Sequence, residues 1–448
     1  MRPVKILTMV LAGGVGERLY PLTARRCKPV VPFGGNFRIV DFTLMNCVCS
    51  DLRQVYILPQ YHAQSLTRHG AERWNFLPSE LGEYIEMLPP KLRGASSYYR
   101  GTADAVYRNL DLLDRHRPDL VLVLSGDHVY RADYRKFIEA HLERDADVTV
   151  LSDWVEAKYC SSFGVLTLGP DHRITGFVEK PADPTPYAID GRCATNLGVY
   201  CFRTEFLVEQ VICDSKKNTH HDFGRNILPS CVESARILAC PLQAVSPDPR
   251  PYWRDVGNID SYFQSSMDLL QDPPPFELRD PRWPPNSRFH DWLPAIVSAT
   301  ARIGNRRVRG RNIISSGVSI GCAQVVNSVI SPRVSIDHDC ELEECIVFEG
   351  ARIGRGARLR RVIVEEDVEI PEGARVGWGR DAREFTISEG GVVIVPASYR
   401  FRQPIAGRRS AAAASAARPA AEAAPEPAED CPPELASSPA PSRVARAV

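Results

Sequence analysis

The sequence predicts an α/β domain with a mostly parallel sheet, followed by a β-helix. Up to about residue 270, continuous apolar runs such as VKILTMVLA (4–12) and DLVLVLSGD (119–127) alternate with amphipathic segments such as YRKFIEAHLER (134–144). Apolar runs of this kind are typical of strands that are covered by helices on both faces. Between about 300 and 377, aliphatic residues recur six apart, as at Ile330, Ile336 and Leu342. This period favours a coil of three short strands over an ordinary β-sandwich, which is the alternative.

The 448 residues are too many for one ordinary domain. We expect the α/β domain to occupy residues 1–272 and a proline-rich linker to occupy 273–298. The β-helix should then run from 299 to 405. Residues 406–448 are rich in Ala, Pro and Glu and lack aromatic residues, so we expect them to be disordered.

Composition excludes several classes of function. The chain has 55 basic and 55 acidic residues, so nothing favours a nucleic-acid or membrane partner. No apolar run approaches the roughly 20 residues that cross a bilayer. The 13 cysteines are scattered and no export signal is visible, which predicts reduced thiols and a cytoplasmic protein.

A glycine-rich loop follows the first predicted strand and matches neither of the two common phosphate-binding patterns. The Walker pattern needs a lysine and a hydroxyl after its last glycine, but Glu17 and Arg18 stand there. The dinucleotide fingerprint needs a third glycine where Leu19 stands. A kinase-type phosphate loop and a dinucleotide site are therefore both excluded.

What remains is a glycine turn followed by two separated cations. Gly13 and Gly14 let the backbone approach a ligand and turn its amides toward an anion. Arg18 and Lys28 follow, ten residues apart. Two cations beside an anion nest suit an extended triphosphate, although glycine turns after strands are also common for purely structural reasons.

Three further charged residues are candidates for the same site. Asp127 directly follows an apolar strand, at the sheet edge where ligands bind, and Asp255 lies in WRDVG. Carboxylates so placed suit Mg²⁺, which prefers oxygen ligands and keeps contact with substrate phosphates. Lys180, in FVEKP, offers a compact positive charge for another phosphate. Each residue taken alone is also compatible with an ordinary surface ion pair.

Taken together, these stretches resemble the sugar-nucleotide pyrophosphorylases, most closely the glucose-1-phosphate adenylyltransferases. The resemblance covers about residues 5–395. Its most specific carriers are FGGNFRIVDF (33–42), YRGTADAV (99–106) and YWRDVG (252–257), with further support from LAGGVGERLYPLT, GDHVY, FVEKPADP and HDFG. It implies a Rossmann-like nucleotidyltransferase domain followed by a left-handed parallel β-helix.

The resemblance also implies a reaction and its participants. Glucose 1-phosphate would attack the α-phosphorus of ATP and form ADP-glucose and pyrophosphate for glycogen synthesis, with Mg²⁺ as cofactor. Arg18, Lys28 and Asp127 would be catalytic, and Asp127 and Asp255 would hold the metal. The nucleotide would contact Leu11, Gly13, Gly14, Gln60, Gly101 and Thr102. The sugar phosphate would contact Tyr99, Gly164, Glu179, Lys180 and Asn196.

Three positions depart from the family pattern, and they leave the identity of the nucleotide base and of the sugar undetermined. Leu92 stands where the family usually has a glutamine that reads the adenine, and leucine cannot form that hydrogen bond. Asn196, in TNLG, replaces a common serine beside the sugar, and Tyr98 replaces a frequent tryptophan. A different base or sugar 1-phosphate is the first alternative.

The family also implies a homotetramer that is regulated by a small anionic metabolite. Arg25, Arg26 and Arg38 are the candidate effector residues here, because arginine can clamp phosphates through two hydrogen bonds. The RRVRGR run (306–311) and His338 have simpler interpretations as solvated side chains. A non-catalytic regulatory subunit is the alternative from another class, but such subunits tend to lose residues equivalent to Arg18 or Asp127.

Overall fold

The computed structural model describes residues 4–90, 98–280, 283, 293–297, 310–379 and 384–401, and the backbone of 302–303 and 306–307. Leu92, residues 308–309 of the RRVRGR run and the 406–448 tail lie outside the described residues. Met1–Phe401 forms one compact unit.

The strands of the α/β domain are numbered in chain order. They are β1 (Ile6–Ala12), β2 (Pro32–Phe33), β3 (Phe37–Arg38), β4 (Gln54–Pro59), β5 (Tyr84–Met87), β6 (Leu120–Ser125), β7 (His128–Tyr130), β8 (Val148–Glu156), β9 (Gly164–Leu168), β10 (Ile174–Glu179), β11 (Arg192–Arg203), β12 (Ile237–Pro241) and β13 (Trp253–Asp255).

The α-helices connect these strands and cover both faces of the sheet. They are α1 (Ile39–Cys49), α2 (Ala63–His69), α3 (Thr102–Tyr107), α4 (Leu110–His116), α5 (Tyr134–Glu143), α6 (Thr204–Ser215), α7 (Leu228–Cys231), α8 (Leu242–Val245) and α9 (Ile259–Asp268).

The predicted α/β sheet is confirmed, and it has nine strands. Strand β1 lies between β4 and β6 and is parallel to both, and β5 continues the parallel part beyond β4. The long strand β11 runs antiparallel to β6, β8 and β9, while β12 is parallel to β8. The parallel part brings the carboxyl ends of β1, β4 and β6 to one edge.

Alternation along β1 explains its continuous apolar sequence. Leu7 and Met9 belong to the core on one face of the sheet, whereas Val10 and Ala12 belong to the core on the other. Successive side chains of a strand point to opposite faces, so a strand that is covered on both faces must be apolar throughout.

The β-helix strands continue the numbering. They are β14 (Ala295–Val297), β15 (Arg302–Ile303), β16 (Arg306–Arg307), β17 (Asn312–Ile314), β18 (Ser319–Ile320), β19 (Gln324–Val326), β20 (Val329–Ile330), β21 (Ser335–Ile336), β22 (Glu341–Glu343), β23 (Ile346–Val347), β24 (Arg352–Ile353), β25 (Arg358–Arg360), β26 (Val362–Val364), β27 (Glu369–Ile370), β28 (Arg375–Val376), β29 (Thr386–Ile387) and β30 (Val393–Val395).

Thirteen of these strands form three parallel ladders, which confirms the predicted coil of three short strands. The first ladder is β17-β20-β23-β26-β30, the second β18-β21-β24-β27 and the third β19-β22-β25-β28. Ile330, Ile336 and Leu342 lie one on each ladder, and all three are buried in the β-helix interior. Each step of six residues therefore moves the chain from one face to the next.

The first ladder differs from the others because both of its sides are buried. Val347 and Val364 point into the β-helix, whereas Ile346 and Ile363 join the core of the α/β domain. The third ladder instead alternates, with buried Leu342 between exposed glutamates on β22. The β-helix therefore packs on the α/β domain through its first ladder.

The predicted linker contains ordered and buried residues. Phe276, Leu278 and Trp283 are buried in the core of the α/β domain, and β14 pairs with β17. The domain boundaries at 272, 298 and 405 remain predictions. Within the described residues, no helix combines the length and apolar character that a membrane crossing needs.

His141 on α5 predicts a pH dependence of stability. Burial lowers its pKa to about 4, and its Nδ1 lies 2.8 Å from Thr149 Oγ1. Because the unfolded chain binds this proton below about pH 6.5 and the folded chain does not, stability is lost as pH falls from 6.5 toward 4. We expect the free energy of unfolding of the wild type, relative to His141→Gln, to fall by about 3 kcal/mol between pH 7 and pH 4. Urea unfolding at both pH values measures this, and a constant difference would contradict it.

Candidate active site

A cavity of about 520 Å³ lies at the carboxyl ends of β1, β4 and β6. This is the edge at which open α/β sheets bind ligands. Its walls come from the loop after β1, from the ends of β4 and β6, and from β10, β11 and the segment around Asp222. Its volume is in the range of small-molecule sites.

The glycine loop is shaped by contacts with the residues that follow it. Gly16 has a φ of 71°, and a Cβ there would lie 2.9 Å from Thr23 Cγ2 and 3.2 Å from Lys28 Cβ. A side chain at position 16 would therefore be strained and would push against the lysine. Gly13 and Gly14 line the cavity, as predicted for a phosphate-binding turn.

Lys28 lies between two aspartates from distant parts of the chain. Its Nζ is 2.8 Å from Asp127 Oδ2 and 2.9 Å from Asp255 Oδ1, and the residue is only 6% exposed. Burial by itself lowers the pKa of Lys28, but the two carboxylates outweigh burial and raise it. The lysine therefore stays charged, and it keeps the two carboxylates close together.

A two-stranded ribbon explains why Asp127 and Asp255 meet. Asp127 follows β6 and directly precedes β7, and β13 pairs antiparallel with β7 so that Asp255 lies opposite His128. The hydroxyl of Ser125 also donates to Asp127. Burial acts to raise the pKa of Asp127, but the charge of Lys28 and these hydrogen bonds hold it well below its usual range.

These residues could hold a divalent cation. Asp127, His128 and Asp255 each present one ligand atom, and the three atoms lie within 4.8 Å of one another. Two ionised carboxylates are the oxygen donors that hard divalent cations prefer. In this structure the positive charge between the two carboxylates is that of Lys28.

Arg18 lies on the Asp255 side of the site. A Cβ at Gly257 would be 3.1 Å from Arg18 Nη2 and 2.8 Å from Asp255 Oδ2, so the two side chains approach this glycine together. Arg18 itself is exposed. The structure therefore brings Arg18 next to Asp255.

The residues predicted for the nucleotide form one wall of the cavity. Gln60 donates from Nε2 to the carbonyl of Tyr99 at 3.0 Å, and a Cβ at Gly101 would lie 2.2 Å from the carbonyl oxygen of His220. Thr102 Oγ1 donates to Asp222 Oδ2 at 3.0 Å. Leu11 also lines this cavity.

Of the residues predicted for the sugar phosphate, all but Gly164 line the cavity, and Gly164 lies against Glu179. Burial raises the pKa of Glu179, the nearby charge of Lys180 opposes the rise, and Lys180 Nζ is 3.4 Å from its carboxylate. Lys180 has a φ of 51°, a strained conformation for a long side chain. A Cβ at Gly164 would lie 2.8 Å from Glu179 Oε2, so only glycine leaves room for this carboxylate.

Two predicted sugar contacts already have protein partners. Asn196 donates from Nδ2 to Tyr200 Oη at 2.8 Å, and its Oδ1 accepts from the Gly198 amide at 2.9 Å. The hydroxyl of Tyr99 accepts a hydrogen bond from Asn109 at 3.2 Å. Both side chains line the cavity, but their polar atoms mainly organise its wall.

The three predicted effector arginines have different environments. Arg25 is exposed. Arg26 is buried, and its guanidinium is 3.0 Å from Glu365 and 2.8 Å from Glu366 on the β-helix. Arg38 is 3.1 Å from Glu366. Arg26 is therefore not exposed to a dissolved anion in this structure, and its role toward an effector remains a prediction.

Several residues of the site were not named in the sequence prediction. They are the cavity residues Ser125, Tyr200 and Asp222, and His128 beside the two aspartates. Asp222 is the informative case. It accepts a hydrogen bond from Thr102, and its charge adds to the effect of burial in raising the pKa of Glu179. It lies in the HDFG motif, so the motif was a signal for it. Tyr200 lies within β11, and its sequence carries no such signal.

Comparisons with known proteins agree with this arrangement. The family model described as nucleotidyl transferase matches residues 7–272, and the one described as GlmU-like, C-terminal hexapeptide, matches residues 295–395. Glucose-1-phosphate adenylyltransferase 2 of Alkalilimnicola ehrlichii is 39% identical over 87% of this chain and 93% of its own. The enzymes of the same name from Vibrio cholerae and Vibrio vulnificus are 39% and 40% identical, each over 88% of this chain, and 98% and 99% of their own.

The fold and the site therefore define a nucleotidyltransferase that carries a hexapeptide-repeat β-helix, consistent with the predicted left-handed form. Nucleotidyltransferases in general require a divalent metal, and the donor set of Asp127 and Asp255 fits one. The chain belongs to the glucose-1-phosphate adenylyltransferase family.

The position of Lys28 predicts that its removal destabilises the metal-free protein. In Lys28→Met two carboxylates lose their shared cation, and we expect the free energy of unfolding to fall by roughly 3 kcal/mol in EDTA. Excess Mg²⁺ should restore much of this loss, because it supplies the missing positive charge. Urea unfolding in both buffers measures the effect. Lys158→Met, which removes an exposed lysine paired with Glu156, is the control and should change little. Equal losses with and without Mg²⁺ would contradict the prediction.

Proposed function

We propose that this protein transfers the adenylyl group of ATP to α-D-glucose 1-phosphate, giving ADP-glucose and pyrophosphate for glycogen synthesis. The observation that carries the proposal is one cavity lined by two groups of charged residues. Lys28 and Asp127, of which Lys28 also pairs with Asp255, form one group, and Glu179 and Lys180 form the other. The family of the chain gives the same assignment.

The chemistry needs no protein nucleophile. A phosphate oxygen of glucose 1-phosphate attacks the α-phosphorus of ATP and forms the new P–O bond. The bond between the α-phosphorus and the oxygen that bridges to the β-phosphate breaks, and pyrophosphate leaves with that electron pair. Catalysis then consists of alignment and of stabilising the charge that develops.

The residues of the cluster would serve the triphosphate. Asp127 and Asp255 would hold Mg²⁺, which when bound neutralises phosphate charge. Lys28 and Arg18 would add positive charge near the leaving pyrophosphate. Because Lys28 is already held by two carboxylates, it need not be ordered when substrate binds.

The remaining predicted residues divide between the two substrates. Lys180 would bind the phosphate of the sugar, with Glu179 accepting from the sugar hydroxyls. Leu11, Gly13, Gly14, Gln60, Gly101 and Thr102 would surround the nucleotide. Tyr99, Gly164 and Asn196 would shape the sugar end.

We further propose a cytoplasmic homotetramer that responds to a small anionic metabolite, with exposed Arg25 as the first candidate contact. The division into an α/β domain, a linker, a β-helix and a tail belongs to the same proposal. The presence of Arg18, Lys28, Asp127 and Asp255 together favours a catalytic over a purely regulatory chain.

A pyrophosphate-release assay that crosses four nucleoside triphosphates with several sugar 1-phosphates tests the function. We expect the highest kcat/KM with ATP and glucose 1-phosphate, and in Asp127→Asn a kcat at least about 100-fold lower. Turnover only with another pair would replace the proposed substrates. Inactivity with every pair, together with saturable metabolite binding, would instead indicate a regulatory subunit.

The position of Lys180 predicts a selective effect on one substrate. Lys180→Ala removes a charge-assisted contact to the sugar phosphate, so we expect the KM for glucose 1-phosphate to rise about 10- to 100-fold. The KM for ATP should stay within about threefold, since Lys180 pairs with Glu179 and is assigned to the sugar phosphate. Lys158→Ala, an exposed lysine outside the cavity, is the matched control. An effect confined to ATP would contradict the assignment.

A further inference from the structure

Arg26 binds two glutamates of the β-helix through both terminal nitrogens of its guanidinium. Nη1 and Nη2 each lie 3.0 Å from one carboxylate oxygen of Glu365, and Nη2 is also 2.8 Å from Glu366 Oε2. Nη1 donates in addition to the carbonyl of Leu22 in its own loop at 3.2 Å. The guanidinium carbon lies 5.8 Å from the centre of the Phe348 ring, which belongs to the β-helix.

Glu365 is presented by a rigid part of the β-helix. It directly follows β26, whose Ile363 packs on the α/β core and whose Val364 fills the β-helix interior. The Glu365 amide donates to the Val395 carbonyl at 3.0 Å, which ties the turn to β30. Strand β26 lies between β23 and β30, so the carboxylate has little freedom to move.

Arg26 is separated from Lys28 by a single residue. The Cys27 amide donates to Ser65 Oγ at 3.2 Å, and Lys28 then begins a short 3₁₀ helix, Lys28–Val30. In the preceding loop, Ala24 and Arg25 are exposed. The paired hydrogen bonds from Arg26 to Glu365 therefore tie this loop to the β-helix just before Lys28.

The ion pair is buried, so each partner depends on the other. Glu365 is 3% exposed and Arg26 is 7% exposed. Burial raises the pKa of Glu365, and the charge of Arg26 opposes that rise. Glu365 and Glu366 together neutralise the buried guanidinium, so replacing Glu365 leaves Glu366 as its single carboxylate partner and weakens the contact that holds Arg26.

We propose that Glu365 of the β-helix is a positioning residue for Lys28, acting through its paired hydrogen bonds to Arg26. The β-helix thereby contributes to catalysis, in that it sets the place from which Lys28 reaches Asp127 and Asp255. A displacement of about 1 Å in a catalytic group can lower a rate about 100-fold. The catalytic consequence rests on the proposed function, whereas the positioning itself does not.

A double-mutant cycle on kcat tests the route through Lys28. We expect Glu365→Gln to lower kcat at least about 10-fold and to leave the KM for glucose 1-phosphate within about twofold. If Glu365 acts through Lys28, then in Lys28→Met the added Glu365→Gln change should lower kcat by less than about twofold. Fully additive losses would overturn the proposal, since a merely structural defect would lower kcat in either background.

Amine labelling provides a readout that needs no turnover. Lys28 is buried and doubly ion-paired, so it should react slowly with an amine-specific reagent, and mass spectrometry of its peptide measures the rate. We expect Glu365→Gln to raise this rate at least about threefold, with labelling of half-exposed Lys180 unchanged. Unchanged labelling of Lys28 would overturn the proposal even if the protein transfers no adenylyl group.

Matched variants separate this effect from loss of charge and from misfolding. Glu369→Gln removes an exposed glutamate of the same β-helix, paired with Arg352 at 3.5 Å, and should leave both readouts unchanged. Arg26→Lys keeps the charge but loses the paired hydrogen bonds, and it should shift labelling in the same direction if Glu365→Gln does not fold. Wild-type labelling of Lys28 in Arg26→Lys would count against the proposal.

Discussion

The site depends on one constraint, which is that two carboxylates can lie side by side in a partly buried place only around a cation. Asp127 and Asp255 meet that constraint through the Nζ of Lys28, which is within 2.9 Å of both. Each of the three residues comes from a different segment. The β7–β13 ribbon brings the aspartates together, and the loop after β1 supplies the lysine. A triphosphate site needs such a balance of charge, because the carboxylates, the lysine, the metal and the phosphates all lie close together.

The β-helix is connected to this constraint through its first ladder. Ile313, Ile346 and Ile363 turn away from the β-helix interior and join the core of the α/β domain. This apolar contact brings Glu365 close to Arg26, and Ser388 to Asp260 at the start of α9, a few residues after Asp255. The two domains therefore share a core as well as polar contacts, which is why Arg26 is buried here.

The sugar end is organised differently, with backbone strain and close packing in place of buried ion pairs. Lys180 is held at a φ of 51°, and glycines at 164 and 224 leave space that Glu179 fills. The side-chain oxygen of Asn196 accepts a hydrogen bond from the Gly198 amide, and its Nδ2 donates to Tyr200 Oη. Its replacement of a serine therefore changes the wall of the cavity more than it adds a free hydrogen-bonding group.

The sequence by itself determined the fold class, the coil of three short strands and many of the cavity residues, because apolar periodicity and motifs are local signals. It identified Lys28, Asp127 and Asp255 as candidates, yet it could not show that Lys28 lies between the two aspartates. Arg26 shows most clearly what the sequence could not predict. It lies in a polar loop, and nothing in the sequence indicates that its side chain is buried against two glutamates. Only the tertiary structure decided this, because Glu365 is more than 300 residues away and meets Arg26 only after the two domains pack together.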